Sequence, residues 1–178
     1  TIYQFSLEIS DIDRDVYHAE KLSLALHPSE SVEYMMTRLL AWCLEYQEGI
    51  AFSRGLGDPD EPTLSIRGMD GALHAWIEIG APSPDRLHRA SKAAERVAVY
   101  CHRAADVVFR ELTSEAIHRG QEISFYAVDA NCIARACAVL ERRNELAVSR
   151  SEGALYITIN GNSLHCALRE QTLSGSSG

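Results

Sequence analysis

At 178 residues the chain fits one domain, and a domain of this size buries roughly 70% of the surface its unfolded form exposes, so it needs no staple to fold. Its 25 Asp and Glu against 17 Lys and Arg give a net charge of -8, which argues against tight nonspecific nucleic-acid binding, because such binding relies on basic surface that releases counterions from phosphate; a local basic groove is still compatible with the total. No apolar run approaches the roughly 20 residues needed to cross a bilayer, so no membrane association is expected and the chain is read as cytoplasmic.

Residues 1–10 alternate around Ile2, Phe5 and Leu7, and residues 19–26 alternate around Leu22, Leu24 and Leu26, with Asp11-Ile12-Asp13-Arg14-Asp15 between them suited to a turn. This predicts an N-terminal hairpin. A helix follows over 28–48, with Pro28 in its first turn and Gly49 at its end. Short strands are expected at 50–54, 63–67 and 72–79, separated by the turn-rich segments 55–62 and 68–71. Residues 84–95 read as helix, 97–101 as a buried strand and 104–118 as a further helix.

The remainder predicts a strand at 123–128, a helix from the N-cap Asp129 to about residue 143, and strands at 145–149, 154–159 and 163–168. Asn160-Gly161 is a hairpin signal, because both residues tolerate the positive φ of a type I′ turn. Residues 1–170 are expected to form a single domain and 171–178 a disordered tail. The five cysteines, Cys43, Cys101, Cys132, Cys137 and Cys166, are odd in number and include no C-x-x-C pair, so they read as reduced and mostly buried.

Carboxylates are the groups through which this chain offers chemistry. At 100° per residue along helix 28–48, the apolar stripe runs from Trp42 to Leu40 and Glu33 borders it at about 100°, while Glu30, Glu45 and Glu48 fall on the solvent side. Strand parity puts His74, Trp76 and Glu78 on one face and Leu73, Ala75, Ile77 and Ile79 on the other. Glu78 therefore sits in an apolar run, where an ionised carboxylate requires a cation or strong donors. Asp58, Asp60 and Glu61 crowd the turn before the hairpin partner of that strand, and oxygen ligands of this kind suit Mg²⁺ or Mn²⁺. Arg86, Arg89, Lys92 and Arg96 supply basic groups on or near the next helix. The alternatives are a solvated turn or helix face for the turn and helix residues, and a solvent-facing edge strand for Glu78. The seven histidines lack H-x-H or H-E-x-x-H spacing, and Gly55-x-Gly57 is not followed by a phosphate-loop Lys, so zinc hydrolysis and nucleotide hydrolysis are set aside.

The segments His27-Pro28-Ser29-Glu30, Arg38-Leu39-Leu40-Ala41, Phe52-Ser53-Arg54-Gly55-Leu56, Asp60-Glu61-Pro62 and Trp76-Ile77-Glu78-Ile79-Gly80, followed by Pro82 and Asp85-Arg86, resemble the bacterial YaeQ family over most of the chain. The order of helix, three strands, helix and strand resembles the PD-(D/E)XK nucleases. What the resemblance implies is an α/β fold with a mixed sheet: a restriction-endonuclease-like αβββαβ core carrying added N- and C-terminal antiparallel strands. It further implies a Mg²⁺- or Mn²⁺-dependent nuclease acting on phosphodiester bonds, in which Asp60 and Glu78 hold metal, Glu33, the acidic residue of the first helix, joins the metal site by orienting a second ion or a water, and Lys92 or Arg86 replaces the lysine of the E-x-K motif, whose place is taken by Gly80. Two other readings stay open. One is a noncatalytic binding or regulatory protein, linked to transcription or translation through a protein partner. The other is an acidic cluster with a purely structural role, in which Arg54 or Arg86 pairs with Glu78 and Asp60. Nucleic acid in a local groove or another protein is the expected partner, and the chain is expected to be monomeric.

Overall fold

The computed structural model describes residues 1–54, 58 and 60–173. In chain order its elements are β1 (Ile2–Asp11), β2 (Val16–Ala25), α1 (Val32–Glu45), β3 (Ile50–Phe52), β4 (Leu64–Arg67), β5 (Leu73–Ile79), α2 (Pro84–Ala93) and β6 (Arg96–Cys101). They continue as α3 (Ala105–Thr113), a 3₁₀ turn at Gly120–Glu122, β7 (Ser124–Val128), α4 (Ala130–Ala138), β8 (Arg143–Ser151), β9 (Ala154–Ile159), β10 (Asn162–Cys166) and β11 (Leu168–Thr172). The fold is mixed α/β with mixed sheets, and it divides into two compact units: Thr1–Leu44 with Val128–Leu168, and Glu45–Ala127 with the segment from Arg169. No helix among the described residues is long and apolar enough to cross a membrane.

The first unit is built on a sheet of order β10-β9-β8-β1-β2. β1 and β2 form the expected hairpin, in unbroken register from Ile2↔Ala25 to Asp11↔Val16, with Phe5, Leu7 and Ile9 of β1 buried. The N- and C-terminal strands are not solely antiparallel additions: β1 also pairs with β8 in parallel, from Gln4↔Arg143 to Asp11↔Arg150, which welds the two strand sets into one sheet. The turn at Asn160 and Gly161 has φ of 48° and 83°, as the sequence requires. Asn160 also receives the Glu145 amide on its side-chain oxygen and donates to the Val139 carbonyl.

Helix α1 starts four residues later than expected. Ser31 Oγ accepts from the Tyr34 amide at 3.0 Å and so acts as the N-cap, leaving Pro28 in the preceding turn. Glu30 consequently lies outside the helix. Its side chain is buried and faces Arg38, whereas the helical wheel placed it in solvent. From Met35 to Glu45 the helix is buried on every side. Its final carbonyls, Cys43 O and Leu44 O, receive Arg14 and Arg150 respectively, and both guanidiniums also grip the buried Asp11 carboxylate. Burial raises the Asp11 carboxyl pKa, and the bonds and charges of Arg150 and Arg14 more than offset this, holding it below its ordinary value.

The reading of five reduced cysteines is corrected. Cys132 of α4 and Cys166 of β10 form a disulfide with Cα atoms 5.5 Å apart, inside the usual range for such bridges. An odd count and a wide spacing did not reveal which two the fold would bring side by side. Cys43, Cys101 and Cys137 are free thiols. Burial and the charge of Glu33 push the Cys137 thiol up to about 12.

The second unit carries the sheet of order β11-β7-β6-β5-β4-β3. β3, β4 and β5 form an antiparallel meander, and β5, β6 and β7 run parallel through the crossover elements α2 and α3. The order helix, three strands, helix, strand is therefore present as read. Trp76, Val97, Val99, Cys101 and Phe125 pack on one face against Leu87, Ala90, Val108 and Leu112 of α2 and α3. Gln171 and Thr172, assigned to the tail from sequence, complete β11, and Leu173 is buried. They are held because the Leu173 amide bonds the Ile123 carbonyl. The rest of the expected tail, 174–178, lies outside the described residues.

Candidate functional site

Two local features bring the Glu78 site together. β5 ends at Ile79, and the short connection 80–83 turns the chain through Gly80, at φ +89°, into the Ser83 N-cap and Pro84 of α2. This brings Arg86, in the first turn of α2, back over the end of β5. Strand parity holds as expected, with Trp76 and Glu78 on the same face, two residues apart.

Glu78 is 4% exposed. Its Oε1 receives the Trp76 indole N–H at 2.7 Å, Arg86 Nη2 at 2.8 Å and the Thr63 amide at 3.3 Å, and its Oε2 receives the Thr63 hydroxyl at 3.2 Å. Arg86 Nη2 also donates to the Glu61 carbonyl at 2.8 Å, and its guanidinium carbon lies 5.4 Å from the centroid of the Trp76 ring, within range of a cation–π contact. The carboxylate is thus neutralised by one guanidinium and satisfied by neutral donors. Arg54, the alternative partner weighed from sequence, instead gives its backbone amide to Glu61 Oε1 at 3.0 Å.

The other sequence-derived residues do not join Glu78 around one point. The Asp60 side chain is 82% exposed and its nearest ionic partner is Arg89, at 3.7 Å, while its amide closes a turn on Asp58 Oδ1. Lys92 is exposed in the last turn of α2. Glu33 is exposed in the first turn of α1 and belongs to the other unit. His74 meets Glu95 at 3.3 Å. Gly55 and Gly57 lie outside the described residues. Among the described residues no group of three or more His, Cys, Asp or Glu is placed to hold a metal ion. Mg²⁺ or Mn²⁺ requires several converging oxygens; here Glu78 offers oxygens already engaged by four donors and Asp60 points into solvent, so the residues present do not fit the ion.

Sequence reasoning missed a second carboxylate centre in the same unit. Glu45, at the end of α1, is 7% exposed, although the helical wheel put it in solvent. Arg96 Nε and Nη2 engage its two oxygens at 2.9 and 3.1 Å, and the Tyr100 hydroxyl donates at 2.8 Å. Arg96 Nη2 also reaches the Tyr126 hydroxyl at 3.1 Å, and that hydroxyl donates to Glu170 at 3.2 Å. The Tyr100 and Tyr126 rings stack 4.5 Å apart. Burial and the neighbouring carboxylate hold the Tyr100 phenol well above its ordinary value. The readable signal was parity in β6, where Arg96, Ala98 and Tyr100 share a face opposite Val97, Val99 and Cys101.

Fold and site together define a mixed α/β protein in which the buried Glu45 and Glu78 carboxylates of the second unit are each closed by an arginine and neutral donors. The family model described as YaeQ protein matches residues 1–168, and the chain belongs to the YaeQ family. It is 32% identical over 170 residues to the uncharacterized protein YaeQ of Escherichia coli (strain K12), covering 94% of this chain and 93% of that one. The crystal structure of the YaeQ protein from Pseudomonas syringae matches with a TM-score of 0.87 at 33% identity, covering 100% of this chain and 98% of the other. That of the YaeQ protein from Xanthomonas axonopodis pv. citri matches at 0.86 and 28% identity, covering 96% and 97%.

Proposed function

We propose that this chain is a noncatalytic binding protein that acts through a protein partner, built on a core resembling that of the PD-(D/E)XK nucleases. The helix, three strands, helix, strand order supports the likeness to that core. The observation that carries the loss of chemistry is the state of Glu78: Arg86, a residue that the nuclease reading needs at the substrate, occupies the carboxylate that the same reading needs at the metal. A glycine stands where the E-x-K lysine would be, and Asp60 faces away. The net charge of -8 favours a protein over a nucleic acid as partner.

Isothermal titration with Mg²⁺ and Mn²⁺, run beside cleavage assays on DNA and RNA, tests this reading. No saturable heat and no cleavage are expected from the wild type. Saturable metal binding together with cleavage, both abolished in Glu78→Gln, would overturn it and restore the nuclease.

A further inference from the structure

We propose that β2 is a self-association edge, on which a second copy of this chain adds its own β2 antiparallel about a two-fold axis at Ala19. The inference does not depend on the fate of the Glu78 site. Among the described residues β2 is a terminal strand of its sheet, ten residues long, in unbroken register with β1 and free of proline. The other terminal strands are short: β10 and β11 have five residues each and β3 has three. A long, regular edge exposes a row of main-chain donors and acceptors that can template pairing.

Which groups point outward follows from the ladder. The Leu26 amide bonds the Thr1 carbonyl at 2.8 Å, so Thr1 and Leu26 form a hydrogen-bonded pair, and such pairs alternate along an antiparallel ribbon. Even-numbered residues of β2 therefore spend their main-chain groups on β1. Tyr17, Ala19, Lys21 and Ser23 direct theirs off the sheet, and all four are exposed.

Opposed residues of an added antiparallel strand must share a face, which limits the register to a few choices, and charge selects among them. Centred on Glu20 the strands oppose two carboxylates, on Lys21 two ammonium groups, and on His18 two imidazoles; like charges directly opposite each other are destabilising. Centred on Leu22, Glu20 meets Leu24. Centred on Ala19, His18 of each copy stands opposite Glu20 of the other, Tyr17 opposite Lys21, and Val16 opposite Leu22. His18 and Glu20 already meet at 2.7 Å within one strand, so the pairing closes an alternating ring of two imidazoles and two carboxylates. The small Ala19 lies at the axis.

Sedimentation velocity of the full chain over a concentration series up to about 100 μM, where an interface of micromolar Kd is largely formed, tests the proposal. The wild type is expected to approach twice the monomer mass. Ala19→Pro deletes only an outward N–H and should stay monomeric, as should His18→Glu, which sets four carboxylates together. The swap His18→Glu with Glu20→His restores complementarity and should recover the dimer. Ala25→Pro deletes an outward N–H beyond the ladder and should dimerise like the wild type. A wild type that stays monomeric throughout, an Ala19→Pro variant that dimerises, or an Ala25→Pro variant that does not, would each overturn the proposal.

Discussion

Asp11 in the first unit and Glu78 in the second are both buried carboxylates in ion pairs, yet they are wired differently. Asp11 is held by two arginines, each of which also bonds a C-terminal carbonyl of α1. Glu78 is ion-paired with one arginine among the described residues, Arg86, and completes its set with an indole, a hydroxyl and an amide. The first arrangement is redundant in cations and doubles as a helix cap, because positive charge is favourable at a helix C-terminus. The second concentrates neutralisation in one side chain. An ion pair inside a protein is therefore more fragile the fewer partners it can lose before a charge is stranded.

Six substitutions sharpen the contrast. The largest effect is expected from Arg86→Ala, which strands the Glu78 charge and should cost about 3–5 kcal/mol in urea unfolding; a loss below 1 kcal/mol would mean that the neutral donors suffice. Asp11→Asn should cost about 3 kcal/mol at neutral pH, and this cost should depend on pH. The folded carboxyl lies below its ordinary value of 3.8, so its contribution is complete above that value and is lost as pH falls through the folded one. The gap between wild type and Asp11→Asn should accordingly close in strong acid, and a gap that widens there would reverse the assignment. Arg14→Ala should cost only about 1–2 kcal/mol, since Arg150 continues to hold Asp11, and a loss as large as that of Arg86→Ala would remove the distinction. Asp60→Asn, Glu33→Gln and Lys92→Ala, all exposed, should each move stability by less than about 0.5 kcal/mol in thermal melts.

The sequence was most informative where geometry is local. Period-2 alternation placed Trp76 and Glu78 on one face, the Asn160-Gly161 turn was readable from its chemistry, and Asp129 caps α4 as expected. It misled where burial comes from more than one direction. A helical wheel assumes one wet face, and α1 has none beyond its first turns, so Glu45 was placed in solvent although it anchors Arg96 and Tyr100. Glu30 was misplaced for a different reason: Ser31, not Pro28, begins the helix. The Cys132–Cys166 bridge and the strand β11 arise from long-range neighbours, which spacing along the chain does not encode. For the candidate site, the sequence correctly demanded a partner for Glu78 and offered Arg86, but local composition could not show that Asp60 turns outward.

The odd-even arrangement of β2 also sets a clock. Amide protons at Val16, His18, Glu20, Leu22 and Leu24 are tied to β1, whereas those at Tyr17, Ala19, Lys21 and Ser23 meet water, so hydrogen–deuterium exchange along this strand should alternate between slow and fast residue by residue. At dilution the alternation should be complete. Wherever a second strand settles against the edge, the fast amides from Tyr17 to Lys21 should slow to match their neighbours while Ser23 keeps its pace, so NMR exchange rates would mark the two ends of the contact.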